Sequence, residues 1–346
     1  MHINGIQVPE WMNTRDQMAM RNDLINDITN LVVFDSNGNL LYQGLGQTST
    51  IRVVKSLLHE TAAFMTANGM KSVLIPMSGG ADSTLVACLL RTARDTFGLD
   101  YKIIGVTLPR KLQADADHYN DLGLWAARFY CDEVATVELG ETAAFVDDHL
   151  FNPGLKFESG RTFGELQDEL SPNRTEKQKN IDRGNITARL RMIFSYGWAS
   201  RFSGAQPSTD NLSELLMGFW TLCGDEGTFK LIQKILKGAE QPKIMHALGI
   251  PDIYIVQKPT DGLGVSDGDV AQLYGELYTG EETYFDVDCV MISFFGGVKF
   301  PDIKNPTVLG LNHPVIKQFF RTGFKRNPFV IERKTLGLKS IGSGHD

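Results

Sequence analysis

Residues 78 to 83 read Ser-Gly-Gly-Ala-Asp-Ser, and these types in this order are suited to holding a phosphate. Gly79 and Gly80 let the backbone turn sharply, and a turn that opens into a helix leaves N–H groups free at the positive end of the helix dipole. Asp82 places a carboxylate beside that anion site, which makes sense if Mg²⁺ bridges the acid to the phosphates. The simpler alternative is that Asp82 or Ser83 only caps the helix, an interaction worth about 1 kcal/mol. No Gly-x-x-x-x-Gly-Lys-Ser/Thr occurs in the chain, so the common P-loop is excluded.

The elements that must position these residues are legible on either side. Val73, Leu74, Ile75 and Met77 form a short apolar run, the glycines break it, and Leu85, Val86, Leu89 and Leu90 recur at helical spacing. Residues 101–109 predict a second buried strand, 115–130 a helix and 133–139 a third strand. Strands alternating with helices imply an α/β fold with a doubly wound parallel sheet flanked by helices, its ligand at the carboxyl ends of the strands. Arg110, Gln113 and Asp115 follow the second strand as the Ser78 loop follows the first, within reach of the same crevice. Before this unit the pattern predicts a polar helix over 14–30, a hairpin over 31–44 around Asn37-Gly38, and a helix over 50–68. Residues 1–49 therefore read as an N-terminal helix and hairpin extension, 50–330 as the main domain, and 331–346 as a frayed tail. Residues 152–183 show no sustained period, and their place before the next motif points to a mobile lid.

On a helix beginning near Asp182, Asn185, Arg189, Met192 and Tyr196 fall along one stripe. An amide and a guanidinium one turn apart suit a carboxylate or phosphate ligand, and they equally suit an ordinary surface contact. Asn211 and Glu214 have the spacing of a capping box, which could occupy Glu214 entirely; the other reading makes Glu214 a second acid for the metal near Asp82, and Asp225 a substrate contact. Spacing does not choose between them.

The loop Ser78 to Ser83 resembles the Ser-Gly-Gly-x-Asp-Ser loop of the ATP pyrophosphatases, which adenylate a substrate oxygen and let a nitrogen or sulfur nucleophile displace AMP. Two further stretches, Gly184 to Ile193 and Ser208 to Asp225, resemble the other signature blocks of the NAD synthetases in their order and approximate spacing. Lys258 to Leu263, Tyr284 to Asp288 and Phe324 to Arg326 are similar to shorter motifs of that family, so the likeness runs from about 50 to 330. No amidase domain stands in front of it, which makes the ammonia-dependent form the nearer likeness. The resemblance implies the following expectations. ATP lies on Ser78, Gly79, Gly80, Ser83, Thr209, Lys237 and Thr260, with Mg²⁺ on Asp82 and Glu214. Asp82, Glu214 and Lys237 carry the catalysis, and Asn185, Arg189, Asp225 and Lys325 face the substrate. Deamido-NAD is the acid, ammonia the nucleophile, and the enzyme a homodimer.

The chain departs from the family pattern where the substrate would sit. Leu222 replaces a lysine, Phe229 an aspartate and Phe324 a histidine, while Ser208 stands where glycine is usual. These changes leave open a smaller acid such as nicotinate mononucleotide, or a non-catalytic ATP-binding regulator. A net charge of −7 argues against a broad basic face for nucleic acid. Four scattered cysteines without a Cys-x-x-Cys pair suggest neither a zinc site nor a disulfide framework, and residues 1–30 hold no apolar block for a signal or membrane anchor. A cytoplasmic location is the expectation.

Overall fold

The computed structural model describes residues 1–110, 116–258, 268–297 and 310–326. The chain opens with a small ribbon, His2–Ile3 (β1) against Ile6–Gln7 (β2), followed by helix Arg15–Asn30 (α1), which Thr14 and Gln17 start with a reciprocal capping box. The expected hairpin pairs Val32–Phe34 (β3) with Leu40–Gln43 (β4). Its turn is closed by the Asp35 carboxylate, which accepts the N–H groups of Asn37 and Asn39, each at 2.8 Å. Helix Gln47–Ala67 (α2) then leads into the sheet.

The central sheet contains Ser72–Pro76 (β5), Lys102–Thr107 (β6), Glu133–Thr136 (β7) and Gly204–Ala205 (β8), all parallel and ordered β7-β6-β5-β8. Between them run Ala81–Phe97 (α3), Ala116–Tyr130 (α4), Gly140–Leu150 (α5), Phe163–Leu170 (α6) and Glu176–Arg201 (α7). Alternation along β5 sends Val73 and Ile75 into a core shared with α2, α3 and α4, and Leu74 into a second core shared with α5 and α7. Helices therefore cover both faces, which explains why this strand reads as continuously apolar.

The remaining elements are Pro207–Ser208 (β9), Leu212–Met217 (α8), Phe229–Lys230 (β10), Gln241–Ala247 (α9), Asp252–Val256 (α10), Asp269–Tyr274 (α11), Tyr284–Phe295 (α12), Pro314–Arg321 (α13) and Gly323–Arg326 (α14). β10 runs parallel to β9, and α8, α11, α12 and α13 enclose a smaller third core. Among the described residues no helix is long and apolar enough to cross a membrane.

Two expectations need correction. Residues 152–183 are not without secondary structure: they contain α6 and the first two turns of α7. Thr162 with Glu165, and Thr175 with Gln178, form capping boxes that start these two helices. The third strand ends at Thr136, although Val137 and Leu139 still donate to the carbonyls of Thr107 and Pro109 at 3.0 Å each before α5 begins. The edge strand β8 is two residues long, too short for any periodic signal.

The turn after β5 depends on Gly79. Its φ is +83°, and a Cβ there would lie 2.1 Å from the Tyr119 carbonyl oxygen of α4. Backbone strain and overlap with rigid main chain combine in Gly79→Ala, which should lower unfolding stability by about 2–5 kcal/mol in urea titrations with an unchanged m-value.

Candidate active site

The strand, turn and helix at 72–97 leave the N-terminus of α3 without a side-chain cap. Gly80 is the N-cap of α3 and offers no side-chain hydrogen bond to it. Ser83 does not cap either: its hydroxyl lies 3.3 Å from the Gly80 carbonyl, to which it donates, and 3.1 Å from the Ser78 hydroxyl. The Asp82 carboxylate turns away from its own helix, accepting from Asn211 Nδ2 at 2.9 Å and from Lys237 Nζ at 2.9 Å. The capping reading of Asp82 is thus replaced by a long-range one.

Lys237 Nζ also donates to Glu214 Oε1 at 2.5 Å, so one ammonium stands between two carboxylates. Asp82 begins α3, Glu214 lies in α8 and Lys237 in the loop before α9, and the fold brings these three sequence-predicted residues together. The capping reading of Glu214 holds, but it does not occupy the whole carboxylate. Oε2 faces the Asn211 N–H at 3.5 Å in a capping box, while Oε1 meets Lys237. Asn211 in turn serves as helix cap and as donor to Asp82. The Lys237 ammonium also sits 4.9 Å from the centre of the Tyr284 ring.

Burial tends to discharge Lys237, but Asp82 and Glu214 hold its proton more strongly, so it stays cationic. Burial drives the Glu214 carboxyl upward, Lys237 opposes the rise, and Asp82 and Asp269 add to it. A pair of partly exposed acids converging on one cation is a suitable donor set for Mg²⁺, a hard ion that takes one or two carboxylates and completes its shell with water and phosphate oxygens. Among the described residues no group of three or more His, Cys, Asp or Glu side chains is placed to hold a metal, so phosphate would have to supply the rest.

The four residues expected at the substrate meet on one loop, Gly218 to Asp225. Asn185 Oδ1 accepts from Thr221 Oγ1 at 2.9 Å, and Arg189 Nε donates to the Leu222 carbonyl at 3.3 Å. Asp225 accepts the Thr221 N–H at 2.6 Å, and Lys325 Nζ donates to the carbonyls of Gly218 and Trp220 at 2.7 and 2.5 Å. Arg326 binds the Leu216 carbonyl at 2.6 Å, so two cations meet the C-terminal end of α8 and the residues just after it, as the helix dipole favours. Burial pulls the Lys325 ammonium down and Asp225 supports it.

Other expected positions fall elsewhere. Thr209 is half-buried two residues before Asn211. Thr260 and Gln113 lie outside the described residues. Arg110 is not directed at a nucleotide crevice: its guanidinium binds Asp147, Thr187 and the Arg183 carbonyl, tying β6 to α5 and α7. Phe229 is no substrate contact. It is 6% exposed and stacks on Phe64 of α2, with ring centres 4.5 Å apart. Phe324 is exposed and Leu222 partly so, which leaves these two as the apolar replacements that face outward.

Sequence reasoning gave no role to Asp210 or Ser213, and named Asp288 only as the end of the family-like segment Tyr284 to Asp288. Asp288 was recognisable as a charged residue inside the apolar helix α12, since a fully buried carboxylate must be paired. Asp210 is 8% exposed and accepts from Ser208 Oγ at 3.0 Å. Burial, reinforced by Asp225, pushes its carboxyl up to about 7.

The fold is α/β of the ATP pyrophosphatase type, with a Ser-Gly-Gly loop at the carboxyl end of a central parallel strand. The sequence profile of the NAD synthase family matches residues 53–286, and the chain belongs to that family. It is 28% identical over 252 residues to the NH(3)-dependent NAD(+) synthetase of Burkholderia ambifaria, covering 72% of this chain and 79% of the relative. Two solved structures share the fold. The NAD+ synthetase of Burkholderia pseudomallei has a TM-score of 0.56 at 22% identity, over 92% of this chain and 100% of that one. The NMN synthetase of Francisella tularensis has a TM-score of 0.58 at 19% identity, over 82% of this chain and 98% of that one.

Two measurements check this geometry. Because Asp210 is raised above its ordinary 3.8, the folded chain keeps a proton that the unfolded chain has released; the stability it contributes is complete below about pH 4 and is lost as pH rises toward 7. Asp210→Asn should therefore gain about 2–3 kcal/mol relative to the native protein between about pH 5 and pH 8 in urea unfolding, and equal pH slopes would contradict the burial argument. Phe229→Ala should cost about 3–5 kcal/mol of stability, as expected of a core aromatic and not of a pocket wall.

Proposed function

We propose that this chain amidates the nicotinate carboxylate of deamido-NAD with ammonia, at the expense of ATP, yielding NAD⁺, AMP and pyrophosphate. The observation that carries the reading is the convergence of Asp82, Glu214 and Lys237 at the uncapped N-terminus of α3. In this reading the turn Ser78-Gly79-Gly80 and Ser83 receive the phosphates, and Thr209 and Thr260 contact the nucleotide. Asp82 and Glu214 would hold Mg²⁺, which when bound neutralises phosphate charge. Lys237 supplies a further positive charge to the phosphates, and its cationic state suits that task.

The substrate carboxylate attacks the α-phosphate, pyrophosphate leaves, and ammonia then displaces AMP from the acyl carbon with loss of a proton. Positioning and charge neutralisation supply most of the acceleration. Asn185, Arg189, Asp225 and Lys325, all held on the Gly218–Asp225 loop, would orient the pyridine nucleotide. Residues 152–183, carrying α6, would act as the lid that keeps water from the acyl adenylate. The proposed working form is a cytoplasmic homodimer whose residues 50–330 form the catalytic domain.

A second reading, the same chemistry on nicotinate mononucleotide, is favoured by Leu222 and Phe324, which put apolar side chains where the family pattern has a lysine and a histidine. Pyrophosphate release and amide product should be measured with MgATP, ammonium and either acid supplied separately, with Asp82→Ala as the blank. Deamido-NAD turnover at least about 100-fold above that blank is expected. Turnover with the mononucleotide alone would replace the first reading by the second, and silence with both would overturn the amidation reading.

A further inference from the structure

Lys237 reaches its two carboxylates from a loop, Leu236 to Glu240, that has no regular secondary structure of its own. The loop lies directly on the start of α12: a Cβ on Gly238 would fall 2.1 Å from the Phe285 backbone nitrogen. Asp288, one turn further along α12 and 0% exposed, points into this contact. Its Oδ2 accepts the N–H groups of Gly238 and Ala239 at 2.7 and 2.9 Å, and its Oδ1 accepts the hydroxyl of Ser213 at 2.5 Å. The same Ser213 oxygen accepts the Lys237 N–H at 2.8 Å. One buried carboxylate thus fixes three consecutive backbone N–H groups, two directly and one through a hydroxyl. Ser213 also precedes Glu214, so the network joins the lysine loop to the helix carrying its acid.

Asp288 does nothing comparable for its own helix. Thr283 and Asp286 already form the capping box of α12, and Asp is a poor residue for a helix interior. From the far side Glu240 accepts the Leu236 N–H at 2.9 Å and the Tyr42 hydroxyl at 3.2 Å, so the hairpin closes the loop from outside. A lysine side chain has several freely rotating bonds, and a fixed backbone origin restricts where its ammonium can go.

We propose that Asp288 is a positioning residue that acts through Ser213 and the Gly238–Ala239 backbone to aim Lys237 at the ATP phosphates. The inference rests on the nucleotide reading above and assigns Asp288 no contact with substrate. Its test is a double-mutant cycle of Asp288→Asn and Lys237→Met, read as the equilibrium affinity for MgATP by calorimetry, with folding checked by circular dichroism.

Asp288→Asn is expected to weaken MgATP about 10-fold when Lys237 is present and less than about 2-fold when Lys237→Met is already in place. Losses that multiply around the cycle would overturn the inference, because Asp288 would then support the fold without acting through the lysine. An unchanged affinity in the single variant would overturn it too. If Asp288→Asn does not fold, Ser213→Ala cuts only the hydroxyl link and enters the same cycle with an expected loss of about 3-fold, multiplicative losses again counting against the proposal. A native protein that binds no MgATP overturns the nucleotide reading itself, an outcome distinct from native binding with multiplicative losses.

Discussion

Two carboxylates drawn out of water toward each other repel, and each loses hydration; they coexist here because the Lys237 ammonium stands between them. Such an arrangement is weak as a source of stability, since well-packed apolar residues of the same volume are often as good. Its sense lies in the charge it stores beside an open helix terminus. Asp82 is fixed by the turn that Gly79 permits, Glu214 by the capping box with Asn211, and Lys237 by the loop that Asp288 pins. Three different local devices therefore serve one electrostatic constraint. Asn211 connects two of them, since its side chain caps α8 through the oxygen and holds Asp82 through the nitrogen.

The half of the site assigned to substrate is built on another principle. There the loop Gly218 to Asp225 is gripped from both sides, by Asn185 at the Thr221 hydroxyl and Arg189 at the Leu222 carbonyl from α7, and by Lys325 at the Gly218 carbonyl. Charged side chains spend their hydrogen bonds on carbonyls, so changes to Leu222 and Phe324 alter what the loop presents outward without removing what holds it. Phe229 belongs to neither half: it joins β10 to α2 through the core and shows that a position can leave a family pattern for reasons of packing.

Much of the nucleotide half was legible in the sequence because its determinants are local. Glycines that turn, an acid that follows them, and an apolar run on either side are read over about fifteen residues. Lys237 was not legible in that way, since 231–240 carries no period, and only the family resemblance singled it out. The resemblance marked Asp288 without giving it a role, because its partners lie 49 to 75 residues away in the chain. Spacing from Asp225 placed Phe229 in the right segment but gave no face, and Arg110 was assigned to the crevice because strand order says nothing of side-chain direction. The helices within 152–183 were missed although the spacings Thr162 to Glu165 and Thr175 to Gln178 announce them. The helices α9, α10 and α11 are 7, 5 and 6 residues long and owe their form to tertiary contacts more than to propensity.

The central claim, that Asp82, Glu214 and Lys237 form one cation and phosphate site, is tested most directly by a crystal structure with ATP and Mn²⁺ in place of Mg²⁺, using the anomalous signal to locate the metal. The account predicts metal on Asp82 and Glu214, with Lys237 turned from the carboxylates to phosphate oxygens. Metal bound away from both acids, with Lys237 still bridging them, would contradict it.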